Sequence, residues 1–395
     1  METLVNIFKV NPNRKIQLSA ILWFAFALIG VLIELHRGTI NNYLIYKNVF
    51  WHTIYQTNLY IYYPNEYLDL NHYGPLFSLV IFPFAILPDW LGVTMWALLN
   101  AAMLFYAINK LPVSNVSKNI ILLISSIEMM TSIQNVQFNP MLTAWLILTF
   151  ICIQKEKILF AAFLIIAGFL TKVYGIAGIA FLLFSKDKGK FLLYLLIWFV
   201  VLFCLPMIIS SPAFIFQTYI DWFHALVVKN AENVRLTNYG IDISVMGLIR
   251  RIFNIHNLPN SFILLPAFLV TSLLLLKFKL YDDLKFRLNF LSFVLISVVI
   301  FSSSAESPTY IIAVTGVAIW YCQTDFKNST FETYVLLFVI LITSLASTDL
   351  FPGYIKKHWI KPFSVKALPC VLVWVLLFVQ LLRSKEENFK KIQTV

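Results

Sequence analysis

Apolar runs close to the length of a bilayer crossing recur along the whole chain, and this feature limits the folds open to it more than any other. Thirteen candidate spans lie at 16–36, 74–88, 90–109, 119–134, 139–154, 157–172, 174–184, 191–210, 260–277, 288–304, 308–322, 331–347 and 365–383. A helix needs about 20 apolar residues to cross the hydrocarbon core. Within lipid, only structures that satisfy their own backbone hydrogen bonds survive. Of the 395 residues, 60% are hydrophobic and 12% are charged, whereas soluble domains carry about 25% charged residues. A soluble enzyme, a disordered chain and a nucleic-acid module are excluded. The reading is an all-α polytopic membrane protein with a single domain over residues 1–395.

Charge orients the spans. The net charge is +11, and the lysines and arginines sit in short clusters between apolar runs, as the positive-inside rule expects. Lys9, Arg14 and Lys15 precede the run at 16–36 and place the N-terminus in the cytoplasm. That run is too long for a signal-peptide core and no small-residue cleavage site follows it, so it reads as a retained helix. Arg383, Lys385, Lys390 and Lys391 put the tail on the same side. Both termini inside require an even number of crossings. The short run at 74–88, interrupted by Pro83, is the one omitted, leaving about 12. Lys172 then faces outward, and residues 37–73 and 211–259 form external loops. Lys356, Lys357, Lys361 and Lys366 run against the rule, since this count puts their loop outside. The expected location is the plasma (inner) membrane.

With 19 carboxylates in the chain, each can be weighed singly. Glu128 is the most intramembrane of them, a position that marks either a site or a buried pair. The 37–73 loop holds eight of the 18 tyrosines, and its residues 40–56 have the spacing of an amphipathic helix lying on the membrane. The tyrosines also suit a simple interfacial belt. Glu66, Asp69 and His72 follow at three-residue spacing, just before Tyr73-Gly74-Pro75. Carboxylates and an imidazole are the groups that take a proton from an acceptor hydroxyl. Lys172 interrupts an apolar run beside Tyr174, where an ammonium holds an anion or snorkels to the interface. Gln137 and Asn139 lie in a polar break, and Glu306 is the centre of a Ser-rich external turn. Arg250 and Arg251 follow the segment Asn238–Ser244, and either hold a phosphate or face lipid headgroups.

Other chemistries leave no trace. There is no P-loop, dinucleotide-binding glycine motif, HExxH or CxxC. The four cysteines lie within or beside apolar runs, where they serve as small packing residues. No internal repeat points to a transporter.

The order of these features resembles glycosyltransferase family 87, of the GT-C fold. It runs from a first helix through an aromatic external loop ending at Tyr73-Gly74-Pro75. Then come Gln137-Phe138-Asn139, Gly168 to Lys172, Asn238 to Ser244 with Gly-Leu-Ile-Arg-Arg, and the Glu306 turn. The resemblance covers roughly residues 16–325. It implies a GT-C-like bundle of about 12 transmembrane helices, and transfer of mannose or arabinofuranose from a polyprenyl-phosphate carrier on the external face. The acceptor is a lipid-linked or envelope glycan, and no cofactor or metal is implied. The family's early carboxylate place falls here at Asn41-Asn42, and its later histidine is replaced by the neighbourhood of Glu306. An amide cannot take a proton, so Asp69, Glu66 or Glu306 is expected to act as catalyst. His72, Lys172, Tyr174, Asn42, Gln137, Asn139, Asn238 and Arg250 are expected to bind substrate. The alternatives are a flippase or transporter of lipid-linked glycans and an inactive relative. A flippase would carry cations on many spans, and few spans here carry charge.

Overall fold

The computed structural model describes residues 18–234, 241–255, 258–324 and 330–385, and among them every regular element is helical. The longer α-helices are α1 (Leu18–Arg37), α2 (Asn41–Tyr55), α3 (Phe77–Ala85), α4 (Asp89–Lys110), α5 (Asn115–Gln134), α6 (Asn139–Gln154), α7 (Ile158–Thr171) and α8 (Lys188–Cys204). They continue as α9 (Pro212–Val234), α10 (Val245–Ile252), α11 (Ser261–Ser272), α12 (Leu284–Ile300), α13 (Tyr310–Tyr321), α14 (Thr330–Phe338) and α15 (Leu368–Arg383). Tighter 3₁₀ turns at Val173–Phe184 and Leu273–Leu280 follow α7 and α11.

Among the described residues, seven helical segments are long and apolar enough to cross a membrane: Leu18–Arg37, Asp89–Lys110, Asn115–Gln134, Lys188–Ile208, Ser261–Leu280, Thr330–Ser347 and Val365–Arg383. Shorter apolar segments are α6, α7 and Val173–Phe184. The run at 74–88 contributes only the nine residues of α3, about 13 Å at 1.5 Å per residue. That is less than half of a hydrocarbon core about 30 Å thick.

The core is organised around α13. Its residues from Tyr310 to Trp320 are all buried, as a helix apolar on every face must be. α12, α5, α6 and α15 surround it. A Cβ at Gly316 would stand 2.9 Å from the Ser292 carbonyl oxygen, so α12 and α13 meet at backbone contact.

Helix α2, expected on the membrane surface, packs much of its apolar face against the protein. Its Tyr43, Ile45, Tyr46, Val49 and Phe50 are buried. The Tyr43 hydroxyl donates to the Phe84 carbonyl at 2.8 Å, and the Trp51 indole to the Ala85 carbonyl at 3.3 Å. The physical reason lies in α3, a short helix apolar but for Ser78, which must be covered. α2 covers it with this buried face.

Lys366, which runs against the charge rule, is 4% exposed and bonds both carboxylate oxygens of Glu128 at 2.9 and 3.3 Å. Its charge is neutralised inside the protein and carries no orientation signal.

Candidate active site

The site forms where backbone breaks between short helices converge. α7 ends at Lys172, whose extended backbone (φ −146°, ψ 118°) turns the chain into the next 3₁₀ segment. Loop 56–76 packs on this end: the Gly74 amide donates to the Thr171 carbonyl at 3.0 Å. A Cβ at Gly74 would lie 2.1 Å from the Leu170 carbonyl oxygen and 2.9 Å from the Trp222 ring, so only glycine permits this approach. α9 holds the loop from the other side, with the Trp222 indole donating to the His72 carbonyl at 2.9 Å.

Asn42, Asp69, His72, Gln137, Lys172, Tyr174 and Glu306 line one cavity of about 350 Å³, with Tyr46, Tyr73, Lys229, Ser304 and Thr309 among its other walls. The Lys172 ammonium donates to Asn139 Oδ1 at 2.7 Å and to the Tyr73 hydroxyl at 3.4 Å. It lies 5.2 and 5.4 Å from the ring centres of Tyr73 and Tyr174, within cation–π range. The Tyr73 hydroxyl donates to Gln137 Oε1 at 3.3 Å, and those of Tyr174 and Ser302 are 2.7 Å apart. Asn42 donates to the Asn135 carbonyl at 2.7 Å. Asp69 is exposed and takes the Leu70 amide at 2.7 Å, leaving carboxylate lone pairs open at the mouth.

Glu306 and His72 are among the cavity groups with shifted ionisation. Burial lifts the Glu306 carboxyl above the usual range, while Lys229 and Lys172 pull it back and Asp69 adds to the rise. His72 is lowered to about 4, first by burial and then by Lys229, so its ring is neutral at pH 7. Both of its nitrogens are shielded from solvent and have no hydrogen-bond partner among the described residues. A neutral imidazole offers one donor and one acceptor, and here both are free.

Lys229 is a site residue that no sequence motif announces. It follows Trp222 and Leu226 on α9 at helical spacing, so the three share one face. That spacing is the signal that could have found it.

Three expected residues lie elsewhere. Glu66 is absent from the cavity lining and instead lies 2.8 Å from His52 Nε2, because α2 presents that imidazole to the loop. Arg250 is fully buried, bonding Asp242 Oδ2 at 2.7 Å, the Leu258 carbonyl at 2.9 Å and Asn260. Its donors are used within the protein, so it is not placed to hold a substrate phosphate. Asn139 is fully buried and absent from the cavity lining, and it meets the cavity only through Lys172. Asn238 lies outside the described residues.

A second cavity, about 680 Å³ and almost wholly apolar, runs between Val173–Phe184, α11 and α12. Its lining includes Ala180, Leu183, Phe268, Leu275, Phe293 and Phe301. Phe301 precedes Ser302, whose hydroxyl meets Tyr174 in the polar cavity wall. The apolar groove therefore ends next to the polar site.

The arrangement offers two carboxylates for proton transfer, two ammonium groups for an anion, and amide, phenol and imidazole groups for hydroxyls. The model of glycosyltransferase family 87 matches residues 71–348, a span containing each of these groups except Asn42, Tyr46 and Asp69. No curated protein matches the chain.

Proposed function

The chain belongs to glycosyltransferase family 87, and from that membership we propose that it moves a mannose- or arabinofuranose-like sugar from a polyprenyl-phosphate donor to a lipid-linked or envelope glycan. In this reading the reaction takes place on the external face of the plasma membrane, with both termini cytoplasmic. The observation that carries the proposal is the meeting of Asp69 and Glu306 with Lys172 and Lys229 around one cavity.

Each group has a role. The acceptor hydroxyl oxygen attacks the anomeric carbon of the donor, and the bond from that carbon to the phosphate oxygen breaks. Asp69 takes the hydroxyl proton, since it stands exposed at the mouth where an acceptor enters. Lys172 and Lys229 hold the departing phosphate as point charges. Glu306, flanked by both lysines, holds sugar hydroxyls, and neutral His72 adds a donor and an acceptor. Asn42 stands in the cavity at the family's carboxylate place, and Asp69 of the same cavity supplies the missing proton acceptor. The adjoining apolar groove suits an isoprenoid tail, and a donor of this kind brings its own activated phosphate.

Purified protein in lipid, given polyprenyl-phosphate mannose, polyprenyl-phosphate arabinofuranose or a nucleotide sugar, tests the proposal. Transfer from one of the lipid-linked donors is expected. Transfer from the nucleotide sugar alone would overturn it.

A further inference from the structure

The turn that carries Glu306 is anchored by a buried ion pair outside the cavity. Glu128 on α5 is fully buried, and Lys366, just before α15, is nearly so. Besides Glu128, the Lys366 ammonium reaches Ser307 Oγ at 2.8 Å, the Ser307 carbonyl at 3.1 Å and Ser347 Oγ at 2.6 Å. It also lies 4.9 Å from the centre of the Tyr310 ring. Three elements distant in sequence thus meet on one cation.

Ser307 directly follows Glu306. On its other side, Ala305 accepts the Ile243 amide at 2.8 Å, and the Tyr310 hydroxyl donates to the Ile243 carbonyl at 2.8 Å. Asn139, which holds Lys172, also donates to the Pro308 carbonyl at 3.1 Å. Glu306 is therefore flanked on both sides by tethered residues.

Stability gives a weak account of such a pair. Burying two charges is costly, and apolar residues of similar size often serve the fold as well or better. What a cation does that an apolar side chain cannot is bind several oxygens in fixed directions. We propose that Lys366 and Glu128 are positioning residues that fix the Glu306 turn in register with Lys172. The catalytic meaning of that register rests on the function proposed above; the anchoring itself does not.

The test uses purified full-length protein in detergent, with Cys152, Cys204, Cys322 and Cys370 replaced by alanine and a reporter cysteine introduced as Ser304→Cys. Its reaction rate with a polar thiol reagent is compared with that of Thr39→Cys, an exposed position outside the cavity lining. The main variant is Lys366→Met combined with Glu128→Gln, which removes the pair without stranding a charge. Labelling at 304 is expected to rise about tenfold with the rate at 39 unchanged, as for local opening. In the assay with lipid-linked donor, kcat is expected to fall by about 10²-fold with KM little changed, as for an ångström-scale misplacement. Lys366→Arg alone is expected to recover part of both. An unchanged rate at 304, or an equal rise at both sites, would overturn the proposal. Should the double variant fail to fold, Ser347→Ala removes one tether, and an unchanged rate at 304 there would overturn it equally. Absence of transfer by the unmodified protein would count against the donor reading, while the labelling result would still decide the anchor.

Discussion

The ammonium of Lys172 lies 2.7 Å from Asn139 Oδ1, so the cation at the end of α7 is aimed by the first residue of α6. The same amide reaches the carbonyl of Pro308, two residues after Glu306. One asparagine thereby links the cation, the helix break that contains Gln137 and the acidic turn.

Removing the cations is expected to weaken donor use. A hydrogen bond to a charged group contributes about 1.5–3 kcal/mol, so Lys172→Met and Lys229→Met should each lower kcat/KM for the donor by roughly 10- to 100-fold. Asn139→Ala should show a smaller loss of the same kind, because it touches substrate only through Lys172. Steady-state kinetics with varied donor decide this, and an unimpaired Lys172→Met enzyme would remove the phosphate-holding role.

Asp69→Asn is expected to reduce transfer by about 10²–10⁴-fold, the usual cost of a lost general base, with expression unchanged. Asn42→Asp in the same chain should recover at least part of that loss, since position 42 lines the same cavity. If Asp69→Asn remains fully active while Glu306→Gln is inactive, the base is Glu306.

His72 makes stability depend on acid. As pH falls through about 6.5, an unfolded histidine takes up a proton, whereas folded His72 does so only near 4. The folded state binds fewer protons in that window, so it loses stability as pH falls, by a total approaching about 3 kcal/mol. Thermal unfolding in detergent between pH 7 and 4 should show this loss, and His72→Asn should flatten it. An equally steep loss in His72→Asn would assign the acid sensitivity to other groups.

Arg250 is expected to matter for folding. Its partner Asp242 is as fully buried as the guanidinium itself, and breaking such a pair from one side costs about 3–5 kcal/mol. Arg250→Met should therefore lower the melting temperature without a selective rise in donor KM. A selective rise in KM at unchanged melting temperature would return Arg250 to the substrate.

Residue 39 reports orientation. It is exposed at the junction of α1 and α2, and Thr39→Cys should react with an impermeant thiol reagent in intact cells. Labelling only after lysis would invert the proposed topology.

The sequence by itself determined the helical, apolar character of the chain and many of the polar groups that line the cavity. Apolar runs of bilayer length leave helices as the solution. Against such a background Gln137, Lys172, Tyr174 and Glu306 stand out at breaks in or between apolar runs, and Asp69 and His72 stand out by their spacing in the external loop. All six line one cavity. What a sequence cannot express is which charge finds which partner, because an ammonium or carboxylate is indifferent to distance along the chain. Glu66 pairs with His52 and Arg250 with Asp242, and both leave the cavity for that reason. Lys229 enters it only because α9 lies across the loop that holds His72. Lys366 breaks the charge rule because its partner, Glu128, is 238 residues away. Three-dimensional packing made these choices: buried Arg250 and Lys366 need an opposite charge in a low-dielectric core, Glu66 takes a hydrogen bond from the imidazole that α2 brings within reach, and only the tertiary fold determines which partner is near enough.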